Sequence, residues 1–176
     1  MKKYEFTGET KRVELWNRTA TLHRIKATVE FGFVKVGELG GWIEKEENLS
    51  HEGKAWVCGD AEVCGDAKVC DDAKVCGDAE VWGNAKVWGN AKVCGDAEVF
   101  LASHVLVMGS VGSRNDFTTF FRDKDNEITV KCGCFLGKID KFLEKVTQTH
   151  GNNKYALVYR AAVEVAKLQI ELTERK

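Results

Sequence analysis

The sequence contains no proline and no long hydrophobic run. No apolar stretch approaches the roughly 18 residues that cross a bilayer, which argues against a membrane-spanning helix. The first ten residues lack the apolar segment of a signal peptide, so we expect a cytoplasmic protein whose seven cysteines are mostly reduced. The 26 basic and 27 acidic side chains leave a net charge of −1, which disfavours partners held by bulk charge, such as anionic membranes or non-specific nucleic acid.

A six-residue repeat fills the middle of the chain. From Ala55 the pattern Ala-x-Val-x-Gly-Asp/Asn recurs, with alanine at every sixth position to Ala97 and valine from Val57 to Val99. A period of six fits neither an α-helix nor a heptad coiled coil. It fits a short strand whose alanine and valine point inward, followed by a two-residue corner, because glycine, aspartate and asparagine tolerate positive φ.

This pattern is the hexapeptide repeat typical of left-handed parallel β-helices, in which three hexads form one triangular coil of 18 residues. The frame continues weakly through Val105 and Val111. We therefore predict a mainly β protein, a left-handed β-helix solenoid over residues 55–112 with coils stacked at roughly 4.8 Å. The alternative is a right-handed solenoid with other coil lengths. Residues 1–54 are predicted to form an N-terminal β cap, and residues 113–176 a small α+β module of ββαα order.

Stacking at 18 residues predicts that equivalent positions form vertical rows on three outer faces. One face is acidic and two are basic, and stacked like charges repel unless something compensates them. Exposed aromatic side chains add apolar stripes. We expect a head-to-tail homo-oligomer, most simply a trimer, in which the acidic face of one subunit packs near a basic face of the next. The alternative is a repeat whose charges serve solubility alone. The predicted interface residues are Glu62, Glu80, Glu98, Trp82, Trp88, Phe100, Lys68 and Lys86.

Two stretches carry a family resemblance. The segment GELGGWIEKEENLSHEGKAWV resembles the start of hexapeptide-repeat proteins of bacteriophages and prophages, and the tail FTTFFRDKDNEITVKCGCF with THGNNKYALVYR resembles a module joined to them. The resemblance covers nearly the whole chain. It implies the solenoid fold, a phage origin and the cytoplasm of a bacterial host. It also implies two alternatives for function, an acyltransferase-like enzyme using acyl-CoA and a self-assembling structural protein.

Three kinds of chemistry have candidate residues in the sequence, namely acyl transfer, zinc binding and nucleophilic catalysis, and each set of residues could instead be structural. Acyltransferases of this fold use a histidine base, and His104 is the one histidine on the coil, in an outward position where it could equally be a plain surface residue. Cys132 and Cys134 with His150 have the residue types of a zinc site or of a nucleophile and base, but a second cysteine pair is missing nearby. The Cys58, Cys76 and Cys94 row could approach disulfide distance, yet a reducing cytoplasm predicts free thiols. We predict no catalytic residue, metal or cofactor.

The C-terminal module gathers polar side chains suited to a ligand. Arginine with serine or threonine hydroxyls suits a phosphate, and tyrosine or histidine can stack on a base. Alternatively the tyrosines are helix-core contacts and Arg114 is a surface charge. We expect a non-enzymatic binding protein that inhibits host antiviral defence, by sequestering a nucleotide-derived signal or by binding a defence protein. The predicted ligand-binding residues are Arg114, Thr118, Thr119, Arg122, His150, Tyr155 and Tyr159.

Overall fold

The N-terminal segment is a small antiparallel sheet that continues into the solenoid. The computed structural model describes residues 1–172. Strands β1 (Tyr4–Glu14) and β2 (Thr19–Ala27) form a hairpin, and β2 also pairs antiparallel with β3 (Leu39–Ile43). Strand β3 then pairs in parallel with the first turn of the repeat, so this segment covers one end of the solenoid.

Short parallel strands, one in each hexad, confirm the predicted solenoid. Each of the first five strands pairs with the strand 18 residues later, as Glu62 does with Glu80 and Glu80 with Glu98. The same register aligns Lys68 with Lys86. The predicted rows are confirmed over about three turns, while the left hand of the coil stays a prediction. The strands are β4 (Trp56–Val57), β5 (Glu62–Val63), β6 (Lys68–Val69), β7 (Lys74–Val75), β8 (Glu80–Val81), β9 (Lys86–Val87), β10 (Lys92–Val93) and β11 (Glu98–Val99).

The repeated alanines and valines form the interior of the solenoid. All of them, from Ala55 to Val99, are buried. Burying one valine side chain contributes about 1.5–3 kcal/mol relative to exposure, so the stacked valines stabilise the coil along its whole length. The intervening side chains point outward because successive residues of a strand alternate between its two sides.

The corners of the coil require glycine where two turns approach closely. Gly77 has a φ of +73°, and a Cβ there would lie 2.9 Å from the backbone nitrogen of Gly95. Gly89 has a similar φ of +62° but no atom within 4 Å of the same position. Asp71 occupies an equivalent corner at a φ of +59°, which shows that a side chain can be accommodated where space allows.

We expect Gly77→Ala to lower the free energy of unfolding by about 2–3 kcal/mol, since it adds a backbone clash to the roughly 1–2 kcal/mol of a positive φ. Gly89→Ala is the matched control, because it pays only the conformational part. Urea denaturation of both variants gives the comparison. Equal losses would contradict the close stacking of Gly77 on Gly95.

The C-terminal module has four strands rather than the predicted two. Strand β12 (Val105–Val111) pairs antiparallel with β13 (Asp116–Arg122), so the prediction that the solenoid extends to residue 112 is wrong. The repeat ends because Leu101 and Ala102 replace the glycine-aspartate corner, and a 3-10 turn, Ala102–His104, begins there. The module continues with β14 (Ile128–Cys132), β15 (Phe135–Lys138), α1 (Ile139–His150) and α2 (Lys154–Gln169).

The four-stranded sheet lies between the end of the solenoid and the two helices. Phe121 packs into the solenoid core, whereas its neighbour Phe120 packs with the helices, as alternation along a strand requires. The predicted hairpin and both predicted helices are confirmed, and residues 173–176 of the predicted module lie outside the described residues. Within residues 1–172, neither helix combines the length and apolarity needed to cross a bilayer.

Candidate functional site

The candidate site is a pocket on the C-terminal module with a volume of about 300 Å³. It lies where the β12–β13 turn and the β14–β15 turn meet the end of α1 and the face of α2. Its apolar wall consists of Phe135, Phe142, Val146 and Tyr159, and its polar residues include Arg114, Asp116, Lys145, Thr149 and His150.

Local sequence signals place these side chains. Gly112 takes a φ of +76° in the β12–β13 turn, and a Cβ there would overlap the Tyr159 hydroxyl, so glycine lets this turn close against α2. Gly133 takes a φ of +55° in the β14–β15 turn. Asn153 caps α2, its side-chain oxygen accepting hydrogen bonds from the backbone N–H groups of Tyr155 (2.9 Å) and Ala156 (3.2 Å).

Aromatic contacts define one side of the pocket. The His150 ring stacks on Tyr159, with centroids 5.9 Å apart and planes 29° apart, and it also contacts Tyr155 at 5.8 Å. Tyr159 meets Phe142 edge-on at 5.5 Å. Burial, with the nearby Cys132 adding to it, raises the pKa of Tyr159 to about 12, so its hydroxyl stays protonated at neutral pH. The wall therefore offers flat rings and one neutral hydroxyl.

The charge of the pocket is positive at its rim. Arg114 and Lys145 are both exposed cations, and Asp116 is the one carboxylate among the described lining residues. Among residues 1–172, no three histidine, cysteine, aspartate or glutamate side chains converge as metal ligands would. A cationic rim beside an aromatic wall can hold a ligand that is both planar and anionic.

Three of the predicted ligand residues line this pocket, namely Arg114, His150 and Tyr159, and Tyr155 adjoins it through His150. Sequence reasoning missed Phe135 and Lys145. Lys145 could have been found from the sequence, because it lies one helical turn before Thr149, and Thr149 is adjacent to the predicted ligand residue His150.

The structure does not bring the other three predicted residues to the pocket, because they lie buried along β13. Thr118 donates a hydrogen bond to Cys132 Sγ at 3.2 Å, and Thr119 Oγ1 accepts one from the backbone N–H of Lys92 at 2.9 Å. Arg122 lies over the end of the solenoid, where its Nη1 pairs with a carboxylate oxygen of Glu98 at 2.9 Å.

Cys132, Cys134 and His150 line the same pocket, but no described contact pairs a thiol with the imidazole. Cys132 Sγ contacts the hydroxyls of Thr118 (3.2 Å) and Tyr159 (3.9 Å). The two cysteines do not share a strand surface, because Cys132 ends β14 and Cys134 is exposed in the following turn. The contacts of Cys132 are structural ones within the module.

The prediction that His104 points outward is wrong. Its side chain is fully buried in the 3-10 turn after the last hexad, where Nδ1 accepts a hydrogen bond from the backbone N–H of Phe100 at 3.4 Å. Its ring packs edge-on against Phe100, with centroids 4.4 Å apart. Burial, with the Arg122 charge adding to it, lowers the pKa of His104 to about 4. The turn holds the imidazole away from solvent because no glycine-aspartate corner carries the chain outward here.

Glu62 and Glu98 of the acidic row Glu62, Glu80 and Glu98 pair with cations within the chain, which weakens the electrostatic reason for the predicted oligomer. Glu62 pairs with Lys11 of the N-terminal hairpin at 2.6 Å, and Glu98 is buried against Arg122. The hairpin covers part of this face, where Trp16 contacts Trp82, with ring centroids 6.2 Å apart. The exposed side chains of the predicted interface are Glu80, Lys68, Lys86 and Trp88, while Trp82 and Phe100 are half-buried and stack at 4.6 Å. The homo-oligomer itself stays a prediction.

The row of Cys58, Cys76 and Cys94 also differs from the prediction that its thiols are free. The structure joins Cys76 and Cys94 in a disulfide across two turns, with their Cα atoms 4.6 Å apart, so the prediction of free thiols is wrong for this pair. Cys58, one turn away in the same row, is free and half-buried, and its Sγ lies 3.6 Å from the Val75 carbonyl oxygen. The 18-residue register brings these sulfurs together, because it places equivalent positions of adjacent coils side by side.

No family model matches the chain, and no curated protein matches it significantly. The fold and the site alone therefore define its class. It is a parallel β-solenoid protein whose C-terminal α+β module carries an aromatic pocket with a cationic rim.

Proposed function

We propose that the protein is a non-enzymatic binding protein whose C-terminal pocket holds a small ligand combining a flat ring with a negative charge. The observation that carries this proposal is the lining itself. Phe135 and Tyr159 offer ring surfaces, while Arg114 and Lys145 offer cations on the same pocket. Rings stack on bases, and guanidinium and ammonium groups bind phosphate oxygens.

The volume narrows the ligand class. About 300 Å³ is at the low end of the range for ligand pockets, which runs from about 300 to about 1,000 Å³. One base with one phosphate suits this space better than a cyclic dinucleotide. ADP-ribose derivatives would leave part of the molecule outside the pocket. A nucleoside monophosphate or the corresponding end of a larger nucleotide is therefore the proposed ligand.

The resemblance to phage and prophage proteins suggests what such binding would serve. Sequestering a nucleotide-derived signal in the cytoplasm of a bacterial host would inhibit an antiviral defence without any catalytic step. A homo-oligomer would carry several equivalent pockets. Binding a defence protein is the second route to the same end, and it would leave the pocket without a role in nucleotide binding.

Isothermal titration calorimetry with AMP, adenosine and inorganic phosphate tests the combined recognition. We expect AMP to bind at least about tenfold more tightly than either fragment, because only AMP reaches both the wall and the rim; tenfold corresponds to about 1.4 kcal/mol. AMP should be recovered intact after prolonged incubation. An absence of AMP binding, or AMP binding no tighter than adenosine binding, would contradict the proposal, and conversion of AMP would contradict the non-enzymatic part.

A matched pair of lysine variants localises the ligand. Lys145→Gln should weaken AMP binding by about threefold to tenfold and leave adenosine binding unchanged, because a partly exposed charge contact contributes on the order of 1 kcal/mol. Lys141→Gln is the control, since Lys141 lies one turn earlier on α1 and pairs with Glu144 at 2.9 Å outside the pocket. Equal affinities of the two variants for AMP would place the anion site elsewhere.

A further inference from the structure

Helix α2 presents an apolar surface to solvent as well as to the core. Leu157 is 58% exposed, Val165 is 44% exposed and Leu168 is 89% exposed, with the exposed Ala161 between them. The opposite side of the helix is buried against the sheet and α1 through Ala156, Tyr159, Ala162, Val163 and Ala166. A helix that is apolar on both sides is characteristic of one that is covered on both sides.

The neighbouring helix α1 provides an internal comparison. Its buried side carries Ile139, Phe142 and Val146, as an amphipathic helix requires. Its solvent side is polar, with Asp140, Lys141, Glu144, Thr147 and Gln148 exposed. Two adjacent helices of one module thus differ in their outer surfaces, and only α2 leaves large aliphatic side chains in water.

Four exposed apolar residues of α2 form one continuous stripe, and the exposed Val158 lies beside it. Leu157, Ala161, Val165 and Leu168 follow spacings of 4, 4 and 3 residues, which place them on one side of the helix over three turns. We name these four residues the α2 stripe. The spacing is that of a helix packing against another helix.

We propose that the α2 stripe is an interface with a second copy of this chain, in which two α2 helices pack antiparallel about a twofold axis. In this arrangement Leu157 lies opposite Leu168 of the second copy, and Ala161 lies opposite Val165 of the second copy. The small alanine facing a larger valine lets the two helices approach closely along the stripe. A twofold contact of this kind is self-complementary and closes without forming a filament.

Charge complementarity selects the antiparallel direction. Arg160 and Glu164 lie one turn apart along the same border of the stripe. Antiparallel packing places Arg160 of each copy near Glu164 of the other, whereas parallel packing would turn this border toward the opposite border of the second copy, so Arg160 and Glu164 would not meet. The Arg160 guanidinium is already held by hydrogen bonds to the Gly151 carbonyl oxygen (3.0 Å) and Asn152 Oδ1 (3.0 Å), so it is partly preorganised.

The same border argues against a lipid surface. It alternates charge sign, with Arg160 and Lys167 beside Glu164. Helices that bind anionic membranes carry mainly lysine and arginine along the polar side. Four side chains per copy form a small interface, below the roughly 800 Å² per partner of stable complexes, so we expect a weak dimer with a micromolar dissociation constant.

Sedimentation equilibrium of the full chain from about 5 to about 500 µM tests the interface, since this range brackets micromolar association. We expect a monomer–dimer equilibrium that Leu168→Glu shifts by at least tenfold toward monomer. Because Leu168 is 89% exposed, this variant should keep its thermal unfolding temperature. Val36→Glu, at an exposed aliphatic residue of the N-terminal segment, is the matched control and should dimerise normally.

Mixing two charge variants tests the direction of packing. Arg160→Glu and Glu164→Arg should each dimerise poorly alone, whereas an equimolar mixture should form a heterodimer with every border charge matched. A wild-type monomer at 500 µM would overturn the proposal. So would a trimer, a dimer unaffected by Leu168→Glu, or binding to phosphatidylglycerol vesicles without dimerisation. Leu168 does not line the pocket, so AMP titration of Leu168→Glu reports on the proposed function separately.

Discussion

Replacing Arg122 with alanine should lower the free energy of unfolding by about 3–5 kcal/mol, because removing one partner of a buried ion pair strands the other charge. Arg122 is 1% exposed and Glu98 is 3% exposed. The guanidinium binds the Glu98 side chain at 2.9 Å and the Glu98 carbonyl oxygen at 3.2 Å, and it receives further support from Asn126 at 2.9 Å. This residue ties the four-stranded sheet to the last turn of the solenoid.

A surface pair at the same junction is the control for Arg122→Ala. Lys124 pairs with Asp96 at 2.6 Å, and both side chains are at least half exposed. Lys124→Ala should therefore cost far less than Arg122→Ala in urea denaturation, because exposed ion pairs contribute little. The double variant Arg122→Met with Glu98→Gln should recover part of the loss, because it leaves no uncompensated charge. A loss below 1 kcal/mol for Arg122→Ala would mean that the buried pair does not hold this junction.

Acidification should destabilise the protein through His104. Burial lowers its pKa to about 4 in the folded state, against about 6.5 in the unfolded chain. Because the folded pKa is the lower one, the unfolded chain takes up the proton first as the pH falls. The contribution of His104 to the unfolding free energy is therefore complete above pH 6.5 and is lost towards pH 4, a total of about 3 kcal/mol.

The variant His104→Asn isolates this effect, because it keeps an acceptor for the Phe100 N–H but does not titrate near neutral pH. Urea denaturation at pH 7.5 and pH 4.5 should show a steeper loss for the wild type than for the variant, by about 2–3 kcal/mol. Other groups, such as His51, whose pKa burial also lowers, titrate equally in both proteins and cancel in the difference. Parallel pH profiles would show that His104 is accessible to protons in the folded state.

The rows of the solenoid could be predicted because the hexads carry their own corner residues. Glycine with aspartate or asparagine every sixth residue fixes where the chain turns, so Glu62, Glu80 and Glu98 had to align. The end of the solenoid could not be predicted in the same way. Val105 keeps the six-residue frame by position alone, but without a glycine-aspartate corner at Leu101 and Ala102 the chain enters an antiparallel strand instead. The corner residues therefore decided the path more strongly than the buried valines.

The compensation of the acidic row depended on contacts between distant segments. Nothing in the repeat indicates that Lys11 of the N-terminal hairpin meets Glu62, or that Arg122 of β13 meets Glu98. Local patterns set periodicity, whereas these pairs follow from how the two ends fold onto the solenoid. The row itself was thus predictable, and its neutralisation was not.

The candidate site was partly visible in the sequence. Arg114, His150 and Tyr159 have residue types that suit a nucleotide, and they meet in one pocket. Arg122 has the same chemistry, but the direction of β13 sends it to the solenoid end instead. Residue type indicated the chemistry, and only the packing of α1 and α2 on the sheet selected which side chains share the pocket.

A crystal structure of the protein with AMP tests the proposed function most directly. The account predicts the base against the wall of Phe135 and Tyr159, and phosphate oxygens within about 3 Å of the Arg114 guanidinium and the Lys145 ammonium. Crystals grown with saturating AMP that show this pocket empty, or the nucleotide bound at another place on the chain, would contradict it.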